Sequence, residues 1–264
     1  MFIVKNLEAS RVNLTMNDYV AGLPSPLSFL GLADTLVRVL GYRPWSAKCL
    51  PVLHQVHVSA GRTKPEMAPD SGVFSPSEMP EDLTGTVKVS LLLDIPECDD
   101  DHGVRQAILG KRIAGGVIAN RDVEVEHVAP DGSAFRKLSR GYAVLPPSDP
   151  DKRGFYTGSF DDLDAFASKV FPAERPVGSG WFIPSAAGYR LLEDPETAPP
   201  RARTRRKDVP HVFAEPVAGI AELVSVRSER LTALDQAGLT ELLWSWKSRD
   251  GLVLGHDAYF PINA

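Results

Sequence analysis

The chain has 264 residues, of which 43% are hydrophobic, enough to bury the core of one large domain or two small ones. Its 29 Lys and Arg against 34 Asp and Glu give a net charge of −5, which excludes nucleic-acid binding through overall positive charge and requires any such surface to be local. Two cysteines, Cys49 and Cys98, exclude a disulfide framework or a cysteine metal cluster. No signal peptide or membrane-spanning run is recognisable, so the cytoplasm is the expected location and no membrane contact is expected.

A strand and a capped helix are predicted first. Residues 1–14 mix apolar and polar positions as a strand does, and residues 26–40 repeat apolar side chains at three- and four-residue spacing. Ser25 suits the N-cap, Pro26 the first turn and Gly41 the left-handed residue after the last turn. A strand, a Gly/Pro loop and an amphipathic helix are how an α+β domain with a ferredoxin-like sheet begins.

The middle of the chain alternates strands with a proline-rich excursion. Residues 48–59 and 86–95 are predicted strands, and residues 61–82, rich in proline, are predicted to leave the sheet as a long hairpin or loop. An acidic group at 97–101 precedes a short second helix at 104–109, where acids favour the positive end of the helix.

The second half predicts further strands, helices and one polar segment. The predicted strands are 117–128, 142–145, a strand pair within 180–192, 212–226 and 251–260; the predicted helical segments are a turn after 134, 160–170 and 231–246. Residues 195–210 are expected to be mobile, or ordered by a partner, because they carry little apolar bulk. We find no internal repeat and no linker, and therefore predict one domain over residues 1–264.

Basic residues concentrate in four short groups of an otherwise acidic chain. Five positive charges within residues 201–207 suit a polyphosphate, and a pair of glycines lets backbone amides approach an anion closely. Each group alone is typical of a solvated surface, but together they predict one continuous track for an RNA backbone. The predicted RNA-binding residues are Arg62 and Lys64; Lys111, Arg112, Gly115 and Gly116; Arg136, Lys137 and Arg140; and Arg201, Arg203, Arg205, Arg206 and Lys207.

The histidines do not predict a catalytic or metal site. His54 and His57 are three residues apart, so on a regular strand they face opposite sides and cannot bind one metal without a bend. No spacing fixes a general base beside a nucleophile or an oxyanion donor. We therefore expect a protein that is not an enzyme and has neither a cofactor nor a metal ion.

Several short motifs follow one another along the chain. The first is the run Gly22-Leu-Pro-Ser-Pro-Leu-Ser-Phe-Leu-Gly31. The further landmarks are His54 and His57 before Gly61-Arg-Thr-Lys64, Arg112-Ile-Ala-Gly-Gly116, Arg140-Gly-Tyr-Ala-Val144, Gly180-Trp-Phe-Ile-Pro-Ser-Ala-Ala-Gly-Tyr189, Phe213-Ala-Glu-Pro216 and Leu239-Thr-Glu-Leu-Leu-Trp244. In this order the motifs resemble the second Csy subunit family of type I-F CRISPR complexes, a RAMP-type family, and the first run resembles the N-terminal signature of that family.

The resemblance implies a fold, a role and a set of partners. The fold would be α+β, with a RAMP-type ferredoxin-like (RRM-like) core and long loop or hairpin insertions. The chain would be a non-catalytic subunit of the Cascade (Csy) ribonucleoprotein that binds the 5′ handle of the crRNA and contacts the large and backbone subunits, in antiviral DNA targeting. A contact with target DNA is left open.

Two alternatives stay open from the sequence. One is a RAMP endoribonuclease that processes the crRNA precursor, with His54 or His57 as the base. The other is a backbone RAMP subunit present in several copies along the spacer.

Overall fold

A large antiparallel sheet with few helices forms the protein, which is of the mixed α and β class. The structure, a computed structural model, describes residues 1–17, 20–59, 63–70, 72–78, 83–156, 160–174, 177–204, 207 and 209–261, with the backbone alone described at 63–70, 74–78 and 160–162.

Thirteen strands and six α-helices are present among these residues. The strands are β1 (Phe2–Asn13), β2 (Lys48–Val58), β3 (Thr63–Asp70), β4 (Val73–Glu78), β5 (Thr84–Asp94), β6 (Arg112–Ile113), β7 (Gly116–Ile118), β8 (Glu124–His127), β9 (Tyr142–Leu145), β10 (Trp181–Leu191), β11 (Ala214–Ser225), β12 (Lys247–Arg249) and β13 (Leu252–Leu254). The helices are α1 (Pro26–Val39), α2 (Asp101–Ile108), α3 (Ser133–Arg136), α4 (Phe160–Val170), α5 (Glu229–Thr232) and α6 (Gln236–Leu242).

The sheet draws strands from both halves of the chain. Its order is β12-β13-β10-β11-β9-β2-β5-β1-β7-β6, with β8 also paired to β1, and each of these ladders is antiparallel. The strands β3 and β4 form a separate hairpin, as predicted for the proline-rich excursion. Within the sheet, the chain runs β1-α1-β2, then β5-α2-β8, with β5 lying between β1 and β2 and β1 lying between β5 and β8.

The first helix forms as its sequence predicts. The Ser25 hydroxyl accepts a hydrogen bond from the amide of Leu27 at 3.2 Å, Pro26 occupies the first turn, and Gly41 has a φ of 80° just beyond the last turn. Because an N-cap side chain satisfies an otherwise orphaned amide, this start is fixed locally. The buried side of α1 includes Phe29 and Leu36, both fully buried.

The two faces of the sheet are covered differently. On one face, which we call the helix-covered face, α1 and α2 pack on a large apolar cluster that extends from Phe2 to Phe260. On the other, the second face, a smaller apolar cluster lies beneath α3, α5 and α6. This smaller cluster contains Ile3, Leu50, Val52 and Leu92 from the sheet, and the strands beyond these residues are not covered by it.

Four predicted elements of the second half differ in the structure. Residues 180–192 form one strand with a bulge at Ala187 instead of a strand pair, and the predicted strand 117–128 is two short strands, β7 and β8. The predicted helix 231–246 divides into α5 and α6, because Asp235 caps a new helix by accepting a hydrogen bond from the amide of Gly238. The predicted last strand is β13 followed by a 3₁₀ turn at Asp257–Tyr259.

Helix α4 was predicted correctly and covers the far part of the sheet. Phe166 and Val170 of α4 pack on Phe182, Ala218 and Ile220 of β10 and β11 in a third apolar cluster.

Candidate nucleic-acid interface

The uncovered part of the second face carries polar side chains on three adjacent strands. Along β5, Val87, Val89 and Leu91 belong to the large apolar cluster, so the residues between them, Lys88 and Ser90, face the other side. The neighbouring strands contribute Lys5 of β1 and His54 of β2. Along these strands, the second face of the sheet therefore changes from an apolar patch to a polar patch.

These side chains line a cleft that we call the polar cleft, with a volume of about 300 Å³. Its walls come from β1, β2, β5 and the segment between α3 and β9. The lining residues are Lys5, Asn6, His54, Gln55, Lys88, Ser90, Ser139 and Arg140.

His54 is held by hydrogen bonds on both ring nitrogens. Nδ1 lies 2.9 Å from the carbonyl oxygen of Arg140, and Nε2 lies 2.7 Å from Oγ of Ser90. Because a carbonyl only accepts, Nδ1 donates and Nε2 accepts from the Ser90 hydroxyl. Ser90 is only 2% exposed, so this hydrogen bond closes the floor of the cleft.

A β-bulge places His57 on the same face as His54, which corrects the expectation that the two face opposite sides. The register between β2 and β5 shifts between Leu53 and Gln55, and His57 then lies directly opposite Thr86. Residues directly opposite in an antiparallel pair share a face, and Thr86 shares the face of Ser90 four residues further on. The bulge supplies the extra residue that reverses the alternation.

The lysines of the cleft are paired with carboxylates. Nζ of Lys5 lies 2.5 Å from Glu126, and Nζ of Lys88 lies 2.8 Å from Glu8. The hydrogen bond from Lys5 lowers the pKa of Glu126, and the hydrogen bond to Glu8 raises the pKa of Lys88. The Lys88–Glu8 pair is exposed, and because exposed pairs are weak, Lys88 can exchange its carboxylate for a phosphate at low cost, whereas Lys5 is only 21% exposed.

Three of the predicted basic residues flank the cleft. Arg136, Lys137 and Arg140 are exposed at and after the end of α3. Arg227 fixes this end by donating to the carbonyl oxygens of Arg136 at 3.3 Å and Leu138 at 2.7 Å. Lys137 also reaches Glu126 at 3.4 Å, which links this group to Lys5.

The predicted glycine group lies on the outer edge of the sheet. Lys111 precedes the β6–β7 hairpin, and Arg112 donates to the carbonyl oxygen of Gly115 in the turn. Gly115 has a φ of 85°, whereas a Cβ at Gly116 would come within 2.6 Å of the Ser10 carbonyl oxygen. The absence of a side chain at Gly116 is therefore required by close packing on β1.

The basic run lies in the loop between β10 and β11. Arg201 binds Glu193, and its guanidinium lies 4.5 Å from the centre of the Phe213 ring. Arg203 and Lys207 line a hollow of this loop. Lys64 lies in β3, where the backbone alone is described, and Arg62, Arg205 and Arg206 lie outside the described residues.

The sheet order separates these groups instead of joining them into one track. From β11 to β7 there are five strand-to-strand steps, or about 24 Å. The loop of the basic run precedes β11, at the end of the sheet where β1 begins, while the turn at Gly115 lies beside Asn13, at the end of β1. Among the predicted groups whose side chains the structure describes, the group at 136–140 is the one that adjoins the polar cleft.

Lys5, Lys88 and Ser90 were missed by the sequence analysis, which considered basic residues only where they cluster along the chain. Isolated polar residues that alternate with buried ones in β5 are the signal that could have found Lys88 and Ser90. Lys5 follows Val4 just before a bulge at Asn6, which has a φ of 59°, and this bulge hides the alternation.

Two further observations concern metals and membranes. In the part of the chain that the structure describes, no three side chains of the types His, Cys, Asp and Glu form a group suited to a metal ion. Over the same residues, no helix is both long and apolar enough to cross a bilayer.

Comparison with protein families relates part of the chain to CRISPR-associated proteins. Residues 165–254, about a third of the chain, match the family described as CRISPR-associated protein (Cas_Csy2), which confirms the resemblance found in the sequence. This match supports a Csy2 protein of the type I-F Csy complex, a family whose members belong to a Cascade complex with other Cas subunits. A search of curated proteins found no significant match.

Proposed function

We propose that this chain is the non-catalytic Cascade subunit that binds the 5′ handle of the crRNA, and that the RNA lies over the polar cleft on the second face. The family match carries the proposal, because it assigns the chain to a complex built on a guide RNA. The cleft supports it as the place where sheet, cations and hydrogen-bonding groups coincide.

The strand order supports a ferredoxin-like RAMP core within the larger sheet. The unit β1-α1-β2-β5-α2-β8 has the strand order β8-β1-β5-β2, and both helices contribute to the apolar cluster on one face. This is the arrangement of the split βαβ motif, whose open face is the RNA-binding face in RRM-type domains. The polar cleft lies on that open face.

The proposed contacts combine charge with hydrogen bonds. Arg140, Lys5 and Lys88 would neutralise phosphates, while Asn6, Gln55 and Ser139 offer donors and acceptors to riboses or unstacked bases. In an acidic protein, cations gathered at one cleft give local attraction without overall positive charge.

A binding titration with matched variants tests this proposal. Purified chain would be titrated with a labelled RNA of the 5′-handle sequence at several salt concentrations. We expect the double variant Lys88→Ala/Arg140→Ala to weaken binding by about tenfold or more, since each lost phosphate contact removes about 1 kcal/mol. Arg112→Ala, at the outer edge of the sheet, serves as the control and should change the Kd less than twofold.

The opposite pattern would overturn the site. If Arg112→Ala weakens binding while the double variant does not, the RNA follows the β6–β7 edge. A further variant, Arg201→Ala/Arg203→Ala, measures how much the basic run contributes, and unchanged RNA retention would remove the described part of that run from the interface.

Endoribonuclease activity is a second candidate, favoured by one observation. His54 and Ser90 form a hydrogen-bonded pair at 2.7 Å in a cleft with three cations, an arrangement that can position a base near a ribose hydroxyl. In the non-catalytic function, the Nε2 lone pair stays occupied by the Ser90 hydroxyl. Incubation with a labelled repeat hairpin separates the two: metal-independent cuts that disappear in His54→Ala would establish the nuclease, and an uncut hairpin supports the binding function.

A further inference from the structure

Two exposed aromatic rings are each held by the same three-part arrangement, which we call the aromatic clamp. A carboxylate accepts a hydrogen bond from the backbone amide of the aromatic residue and also forms an ion pair with an arginine. The guanidinium of that arginine lies over the aromatic ring. The first clamp consists of Asp34, Arg38 and Trp45; the second consists of Glu193, Arg201 and Phe213.

In the first clamp, both oxygens of one carboxylate are used. Asp34 accepts from the amide of Trp45 at 2.6 Å and from Nε of Arg38 at 2.6 Å. The guanidinium carbon of Arg38 lies 4.9 Å from the centre of the Trp45 ring, which is nevertheless 61% exposed. Trp45 has a φ of 64°, a conformation that bulky residues rarely adopt and that the clamp maintains.

The second clamp repeats these contacts in a different part of the sequence. Glu193 accepts from the amide of Phe213 at 2.9 Å and binds Arg201, whose guanidinium carbon lies 4.5 Å from the centre of the Phe213 ring. Phe213 is 63% exposed. The hydrogen bond from Arg201, followed by that from the Phe213 amide, lowers the pKa of Glu193, so the carboxylate stays ionised and the clamp stays closed at neutral pH.

Both clamps lie at the same end of the sheet. One antiparallel strand separates β1 from β2 and another separates β2 from β11, so these three strands run in one direction. Trp45 precedes the start of β2 by three residues, and Phe213 immediately precedes β11. The two starts are two strand spacings, about 10 Å, apart across the sheet, and the register through β9 places Ala214 six residues, or about 20 Å, further out along the strand direction than Lys48.

We propose that Trp45 and Phe213 are pre-organised anchors for another protein subunit of the same ribonucleoprotein, which covers this end of the sheet with an apolar pocket for each ring. Holding an exposed ring rigid before binding lowers the entropy cost of forming an interface. Trp paired with Arg is typical of interface hot spots. The proposal rests on membership of a Cascade complex and is independent of where the RNA binds.

Charge favours a protein partner over RNA. The guanidinium of each clamp is already neutralised by its carboxylate, which reduces its value for phosphate, and it covers one face of the ring that a base would use for stacking. What each clamp presents is an apolar ring with little net charge, which suits an apolar pocket.

Reconstitution of the complex tests the proposal. Tagged chain would be co-expressed with the other subunits and crRNA, purified, and weighed by native mass spectrometry, and the affinity for each subunit would be measured after nuclease treatment. We expect Trp45→Ala/Phe213→Ala to weaken retention of one protein subunit at least tenfold, with the Kd of the free chain for handle RNA changed less than twofold.

Controls keep the outcome interpretable. Trp181 is 59% exposed and begins β10, at the opposite end of its ladder with β11, so Trp181→Ala should leave that subunit in place. Asp34→Ala, which keeps the Trp45 ring but releases it, should cause a smaller, severalfold loss, and thermal melting checks that each variant folds. Unchanged subunit retention, or lost RNA affinity with the subunit retained, overturns the proposal, whereas wild-type chain that binds no RNA would contradict only the proposed function.

Discussion

The two faces of the sheet differ in how completely apolar side chains cover them. The helix-covered face is continuous: residues of β1, β2, β5, β10 and β11 join those of α1 and α2 in one buried cluster. On the second face, the apolar cluster under α3, α5 and α6 ends at Leu92 and Val52, and the next residues, Ser90 and His54, are polar. The helix-covered face is apolar throughout, whereas the second face consists of an apolar patch and the polar cleft, for which we propose RNA binding.

Substitution of Phe29 gives the largest expected effect and tests the helix-covered face. Phe29 is fully buried between α1 and the sheet, so Phe29→Ala should lower the free energy of unfolding by about 3–5 kcal/mol. Chemical denaturation measures this change. Thr35→Ala, on the outer side of α1, should change stability by less than about 0.5 kcal/mol, and equal losses at both positions would contradict the assigned orientation of the helix.

The buried carboxylate of Glu222 provides the next test, beside the second face. Burial alone would raise the pKa of Glu222, but hydrogen bonds from Arg230, the Gly180 amide and Ser148 outweigh it, and the pKa lies below its ordinary value. Removing the partner leaves a buried charge, so Arg230→Ala should cost about 2–4 kcal/mol in denaturation experiments. A cost below about 1 kcal/mol would show that water replaces the guanidinium.

The carboxylate of Glu222 also makes the free energy of unfolding depend on pH. Because the pKa of Glu222 is lower in the folded than in the unfolded chain, its contribution is fully present above an unfolded pKa of about 4.5 and is lost as the pH falls through the folded pKa. Melting temperatures measured from pH 7 to pH 3 should therefore fall less steeply in Glu222→Gln. Parallel profiles would assign the acid sensitivity to other carboxylates.

Arg140 distinguishes binding from stability on the second face. Arg140→Ala keeps the backbone carbonyl oxygen that accepts the hydrogen bond from His54, so the fold should be unchanged. Handle RNA should bind about fivefold more weakly. The log–log dependence of affinity on salt should become shallower by about 0.7, as expected for one lost phosphate contact on a single strand. An unchanged salt dependence would place this guanidinium away from the RNA backbone.

Lys88 gives the smallest expected change in stability. Its pair with Glu8 is exposed, so Lys88→Met should alter the free energy of unfolding by less than about 0.5 kcal/mol. A loss comparable to that of Arg230→Ala would mean that the polar cleft contributes to the core, and the division between the two parts of the second face would fail.

Local signals predicted local structure well, and pairing across the sheet was not readable from them. Ser25, Pro26 and Gly41 set the limits of α1 because caps act on neighbouring amides. The bulge beside His54 depends on the pairing of β2 with β5 and reversed a prediction, whereas the break at Asp235 is a local cap that the sequence analysis missed. Arg136, Lys137 and Arg140 were found as a run in the sequence, whereas Lys5 and Lys88 meet them only through the order of strands.

An isolated antiparallel β-bridge between Cys49 and Trp244 connects an early strand of the chain with its C-terminal part. The two residues exchange backbone hydrogen bonds of 2.8 and 3.0 Å, and the Trp244 indole also donates to the carbonyl oxygen of Val144. Trp244 lies within residues 165–254, which match the family model. This part of the chain is therefore hydrogen-bonded to β2 and β9, which lie 100 to 200 residues earlier in the sequence. We expect that expressing residues 165–254 alone would yield an insoluble or unstructured fragment, and that heating the entire chain would melt signature and N-terminal strands in one transition.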